Sequence, residues 1–453
     1  MRAQRLALAT LVLVTLAGCG GGPHTVTEIP PTTDTVHAHG PLRDGDWPTY
    51  HHDNARTGTA SGLSPLGTLR QAWRTRLDGA VYGQPLVVGG AIVAATENDT
   101  VYALDPGNGR ITWRRHLGTP VDGSDLPCGN IDPLGITGTM AYDEATSRVF
   151  ALAETTGGAH TLYGLDVHSG KVDVRVPLEP PKGEKIAHQQ RAALTVLGDR
   201  VYVAYGGLNG DCANYVGSVV SMTTAGTEPR SYAVPTVREG GIWAPAGAVV
   251  DGDRLLYAVG NGESTHSYDG SDSVIALTPQ LRRVDVFAPS SWPSDNAGDL
   301  DLGSSSPTLL GPWVFVAGKR GTGYVLHHDA FGGIGGEVTQ LAVCRSFGGS
   351  AVDGGTAYLP CLDGTRALTI DANGTARVRW QAPVAAAGSP VVGGGAVWVV
   401  DYQGGVLYAL DPGTGSVRAK LDIGECPHFA SPTLSGSHAY IGTMRGVVAV
   451  AGA

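Results

Sequence analysis

With 453 residues, 42% hydrophobic and only 16% charged, the chain can bury a large core and falls outside the disordered class. Lys and Arg number 31 against 41 Asp and Glu, a net charge of −10 without any basic cluster, which argues against nucleic acid as a partner. The 67 glycines and 28 prolines are scattered between short Val, Ala, Leu and Tyr runs, a pattern of many turns joining many short strands.

At the N-terminus, Arg2 and Arg5 precede an apolar run from Leu6 to Gly18 that is too short to span a bilayer comfortably, so residues 1–18 are predicted to be a secretory signal. The LAGC at 16–19 resembles the bacterial lipoprotein box, which implies cleavage before Cys19, acylation of that cysteine and a product anchored to the membrane by lipid alone on its extracytoplasmic side. Residues 19–45 are rich in Gly, Pro, Thr and His and lack apolar periodicity; they are predicted to be a flexible tether, with the folded domain over 46–453. His37 and His39 fall in the tether, where no fixed metal geometry is expected.

The segment from Tyr82 to Trp113 recurs from Ala387 to Gly415: a short strand after X-Pro, a Gly-Gly turn, an alternating strand, then V-x-A-L-D closed by D-P-G-x-G. Looser copies begin at Gly138, Arg191, Gly241, Ser305 and Gly349, and an eighth over 428–450 stops after three strands. The spare strand Leu69 to Leu77 is the piece that completes it, because a sheet lacking its fourth strand would expose a pairing edge. The fold class expected is all-β, an eight-bladed β-propeller of about 50 residues per blade, closed by an N-terminal strand in the last blade.

Beyond Cys19, five cysteines remain, an odd number. Cys344 and Cys361 flank one predicted strand pair and form the favoured bridge; Cys128 with Cys212 is the second, which leaves Cys426. No CxxC or CxxCH occurs, and no G-x-S-x-G, H-E-x-x-H or P-loop pattern supports a hydrolase or NTPase. His51-His52-Asp53 and His327-His328-Asp329 place neighbouring side chains on opposite strand faces, which disfavours a shared metal. Gln189-Gln190-Arg191 and His428-Phe429 begin two copies and are expected to reach the central funnel.

The SP-V-V-G-G-x-V with V-x-A-L-D-x-x-T-G and a trailing Trp resembles the repeat of pyrroloquinoline-quinone (PQQ) type propellers, from about Asp46 to Val450, and DWPTYHHDNARTG resembles the leading segment of exported members. That family includes quinoprotein alcohol dehydrogenases, which hold PQQ and calcium, and a non-catalytic outer-membrane assembly lipoprotein. In GIWAPAGAVVDGDRLLYAVGNG, the resemblance implies Trp243 as the floor for the quinone ring and Asn261 as a calcium ligand; Lys319 matches a basic position facing the quinone carbonyls, and Asp272, with Asp269 beside it, stands nearest to the catalytic base. The match fails at Glu263-Ser264-Thr265-His266, where the family has Pro-Trp-Asn, and at Asp211-Cys212, where it has a calcium-binding Glu. The expected function is an envelope-anchored binding or assembly scaffold, meeting an envelope protein or a small ligand at its funnel. The alternative is a PQQ- and calcium-dependent dehydrogenase of alcohols or sugars.

Overall fold

The structure, a computed structural model, describes residues 42–452. The predicted signal, Cys19 and the tether up to residue 41 lie outside the described residues. The end of that tether, 42–45, lies within them, and the Leu42 N–H donates to Glu144 Oε1 at 3.2 Å.

Eight sheets, antiparallel except for the parallel pairing of Gly333–Ile334 with Arg283–Ala288, follow one another along the chain, at 86–116, 141–177, 188–233, 249–288, 308–342, 351–382, 391–422 and 433–451, and the strand Arg70–Arg76 joins the last. The protein is an all-β, eight-bladed propeller. Arg70–Arg76 runs antiparallel to Gly446–Ala451, from Arg70 opposite Ala451 to Arg76 opposite Gly446, so the N-terminal strand completes the C-terminal blade as its sequence implied. The third and fourth blades carry a fifth short strand, His188–Gln189 and Gly333–Ile334 respectively.

Within a blade the middle strands are almost wholly buried, as in Ala91–Thr96 and Thr100–Leu104, while the outermost strand Ile111–His116 is largely exposed. Alternation on the middle strands buries both faces because each sheet is packed between two others. The trailing tryptophans tie neighbours together. Trp73, Trp113 and Trp380 donate their indole N–H to Pro106, Val167 and Pro412 carbonyls of the next blade, at 2.8, 3.0 and 2.9 Å. Each ring lies on the last glycine of that blade's turn: Gly109, Gly170 and Gly415 have φ of 72, 66 and 72°, and a Cβ on any of them would stand 2.5 Å from the indole. Only glycine satisfies both the left-handed backbone and the contact.

The leading segment 46–60 lies across the axis of the ring. It bonds to the innermost strands, or the residues just before them, of seven blades: Trp47 pairs with Val87, Pro48 O accepts from Tyr142 N, Asn54 Nδ2 donates to Val196 O, and Asn54 O accepts from Val250 N. Thr57 O accepts from Val352 N, Gly58 O from Val392 N, and His51 Nε2 lies 3.1 Å from Ser431 Oγ. Buried Arg56 donates to the carbonyls of Ala248 and Leu194. Burial, reinforced by Arg56, pushes His51 down to about 3, so it stays neutral with its other nitrogen on Ser350 O. His51 is therefore a structural hub residue, as its place in the plug requires.

Disulfides join Cys128 to Cys212 and Cys344 to Cys361; Cys426 is free and buried.

Candidate functional site

After the fourth blade the chain turns through a short helix, Trp292–Gly298, before entering the fifth. That insertion places Asp301 beneath the Gly-Asn-Gly turn. The Asn261 N–H donates to Asp301 Oδ1 at 2.5 Å, and the Gly262 N–H donates to Asn296 Oδ1 at 2.8 Å. Lys319, arriving from the fifth blade, sets its Nζ 2.6 Å from Asp301 Oδ2 and 2.6 Å from Asp299 Oδ1. The same Nζ stands 5.8 Å from the ring centre of Trp243, within cation–π range. Three of the sequence-predicted residues, Trp243, Asn261 and Lys319, thus converge.

Asp272 does not join them as a group facing the funnel. It is 0% exposed, its Oδ1 accepts from Leu302 N at 3.0 Å, and its Oδ2 has no partner among the described residues. Burial raises its pKa well above the carboxylate range, with Asp301 adding to the effect, so Asp272 is a core acid. Asp301, not Asp272, is the carboxylate that contacts Asn261 and Lys319. The sequence signal for Asp301 is the acidic run Asp299-Leu300-Asp301 just ahead of the fifth blade, well beyond the strand that follows Gly-Asn-Gly and holds Val274. Asp269 accepts from Ser271 Oγ at 2.5 Å and Thr236 Oγ1 at 3.0 Å, which closes a local turn.

Glu239, also missed, faces Asn261 from the other side: Asn261 Nδ2 donates to Glu239 Oε2 at 3.3 Å, and Arg238 pairs with Oε1. Burial raises Glu239 to about 7 although Arg238 opposes it. Arg238 Nη1 in turn donates to the carbonyls of Asp211 and Ala213, on either side of Cys212. Burial works against the charge on Lys319, but Asp301 and Asp299 outweigh it and raise its pKa.

Facing Trp243 across the funnel is Phe429, at 6.1 Å between ring centres, and Arg191 lies 4.8 Å above Phe429 and 5.2 Å from the Tyr82 ring. The copy-starting residues Arg191 and Phe429 therefore meet each other. His328 instead sits 2.6 Å from Asp251 and 3.0 Å from Asp329, an ion-pair cluster at the junction of the fourth and fifth blades. A separate groove of about 770 Å³ lies beside the plug, and its lining includes none of Trp243, Asn261, Asp301 or Lys319.

Calcium takes six to eight oxygens. Around Asn261 the charged donors are Glu239 and Asp301, and each already carries a basic partner, Arg238 and Lys319. Among the described residues no group of three or more His, Cys, Asp or Glu is arranged to hold a metal. The donor set at Asn261 does not fit a calcium ion.

No curated protein matches this chain. Among solved structures, the quinohemoprotein alcohol dehydrogenase from Comamonas testosteroni is similar at 17% identity and a TM-score of 0.68, over 90% of this chain and 80% of that one. A europium-containing methanol dehydrogenase is similar at 16% identity and a TM-score of 0.68, over 90% and 98%. BamB from Moraxella catarrhalis is similar at 16% identity and a TM-score of 0.61, over 84% and 99%. At such identities the likeness is one of fold. The family described as outer membrane protein assembly factor BamB matches residues 66–260 and 334–451, more than half of the chain, and to that family of PQQ-like propellers this protein belongs.

Proposed function

We propose that this propeller is a non-catalytic binding or assembly module of the cell envelope, with the funnel around Trp243, Phe429 and Arg191 as its receiving face. One observation carries the reading: Glu239 and Asp301, the carboxylates nearest Asn261, are already neutralised by Arg238 and Lys319, so the network is complete without a bound dication. The BamB description of the family supports a protein partner of the assembly kind, and the LAGC at 16–19 supports anchoring through an acylated Cys19.

A second reading, a PQQ-dependent dehydrogenase of alcohols or sugars, is favoured by the convergence of Trp243, Asn261, Asp301 and Lys319 on one wall of the funnel. It requires Lys319 and Arg238 to release their carboxylates. Purified full chain mixed with PQQ and Ca²⁺ separates the two. The binding-module reading expects no bound-quinone absorbance and no dye reduction with an alcohol panel; stoichiometric PQQ with turnover would overturn it.

A further inference from the structure

The first blade departs from its own repeat at one turn. Counting back from D-P-G-x-G, Asp99 occupies the position that Gly405 holds in the seventh blade, and both have left-handed backbone, φ 52° at Asp99 and 66° at Gly405. A side chain is strained there, and a carboxylate is costlier still when it is taken out of water without a partner. Asp99 is 0% exposed, and neither of its carboxylate oxygens has a hydrogen-bond partner among the described residues.

Glu97, at 2% exposure, shares the defect: Oε2 accepts from Gly135 N at 2.8 Å and Thr137 Oγ1 at 3.1 Å, but Oε1 has no partner. Both acids meet one bare glycine in the connection to the second blade. A Cβ on Gly135 would stand 2.9 Å from Asp99 Oδ1 and closer still to the Glu97 carbonyl oxygen. The charges acting on Asp99 are themselves acidic, Glu97 and Glu154. Burial, with these neighbours, raises Asp99 to about 9, and burial raises Glu97 to about 8. A local rule is broken three times over, in backbone, burial and pairing, and every orphaned atom is an oxygen acceptor.

What is missing is positive. We propose that Asp99 and Glu97 hold a hard cation of the calcium class in the seam between the first and second blades. Two carboxylates supply the charge, and backbone carbonyls and water complete a coordination shell of this size, in place of an all-carboxylate cage. This site is distinct from Asn261 and independent of what the funnel binds.

The test uses the purified full chain, stripped with chelator, with Ca²⁺ as the probe in calorimetric titration and thermal unfolding. One Ca²⁺ per chain and a saturable rise in Tm are expected. Asp99→Gly restores the residue the turn accepts, so it folds at least as well as the parent in chelator and loses both the binding and the rise. Glu97→Gln weakens binding at least tenfold. No Ca²⁺ binding by the parent at millimolar concentration, or an unchanged response in Asp99→Gly, would overturn the assignment.

Discussion

The ammonium of Lys319 rests 2.6 Å from Asp301 Oδ2, and side-chain exposures of 15% and 4% put this pair largely out of water. Removing one member of such a pair leaves an uncompensated buried charge. Lys319→Met is expected to destabilise the propeller by about 3 kcal/mol, and adding Asp301→Asn to recover most of the loss. Denaturant unfolding of the two single variants and the double variant checks the coupling; additive losses would refute it.

The indole of Trp380 on Gly415 makes a second prediction. Trp380→Ala is expected to cost about 3 kcal/mol through the cavity it leaves. Gly415→Ala, which removes nothing, is expected to cost about 2 kcal/mol through left-handed strain and the collision with the ring. Urea midpoints for both variants decide this.

Cysteine chemistry gives a third. The Cys128–Cys212 bridge spans 84 residues and Cys344–Cys361 spans 17. Replacing each pair by serines is expected to cost about 4 and about 3 kcal/mol respectively, following loop length. Burial pushes the Cys426 thiol up to about 12, so among the described cysteines it alone is alkylated, and only after unfolding. Peptide mapping of native and denatured protein reads this directly.

His160 gives a pH dependence. Its Nδ1 lies 3.1 Å from Glu179 and its Nε2 3.7 Å from Glu154. Burial opposes its charge, but the two carboxylates outweigh burial and raise the pKa from 6.5 to about 9. The stabilisation is therefore complete below pH 6.5 and is lost as pH rises through about 9. His160→Gln is expected to be less stable than the parent at pH 6 and to flatten part of the fall between these limits, with the remaining slope coming from the buried acids whose pKa is raised, Glu97, Asp99, Asp272 and Glu239. Unfolding curves across pH 5 to 10 measure it; an unaltered slope in the variant would count against the pair.

The blades were legible because each repeats the same letters at the same spacing, and the closing strand followed from the need to cover an edge. Trp243, Asn261 and Lys319 could be found because they sit inside repeat copies. Asp301 and Glu239 could not, because the helix Trp292–Gly298 and the loop before Trp243 lie between copies, where no period fixes which carboxylate turns inward. The same limit hid the hub: nothing local in DWPTYHHDNARTG says that His51 will meet Ser350 and Ser431, at separations of 299 and 380 residues.

That hub alters how the ring must come together. A linear array of repeats can gain or lose end units almost independently. Here the leading segment is the axle of a wheel whose eighth spoke lies 380 residues farther along the chain, and His51 finds Ser431 only once that blade is present. Assembly therefore waits for the C-terminus and then proceeds as one slow, cooperative event.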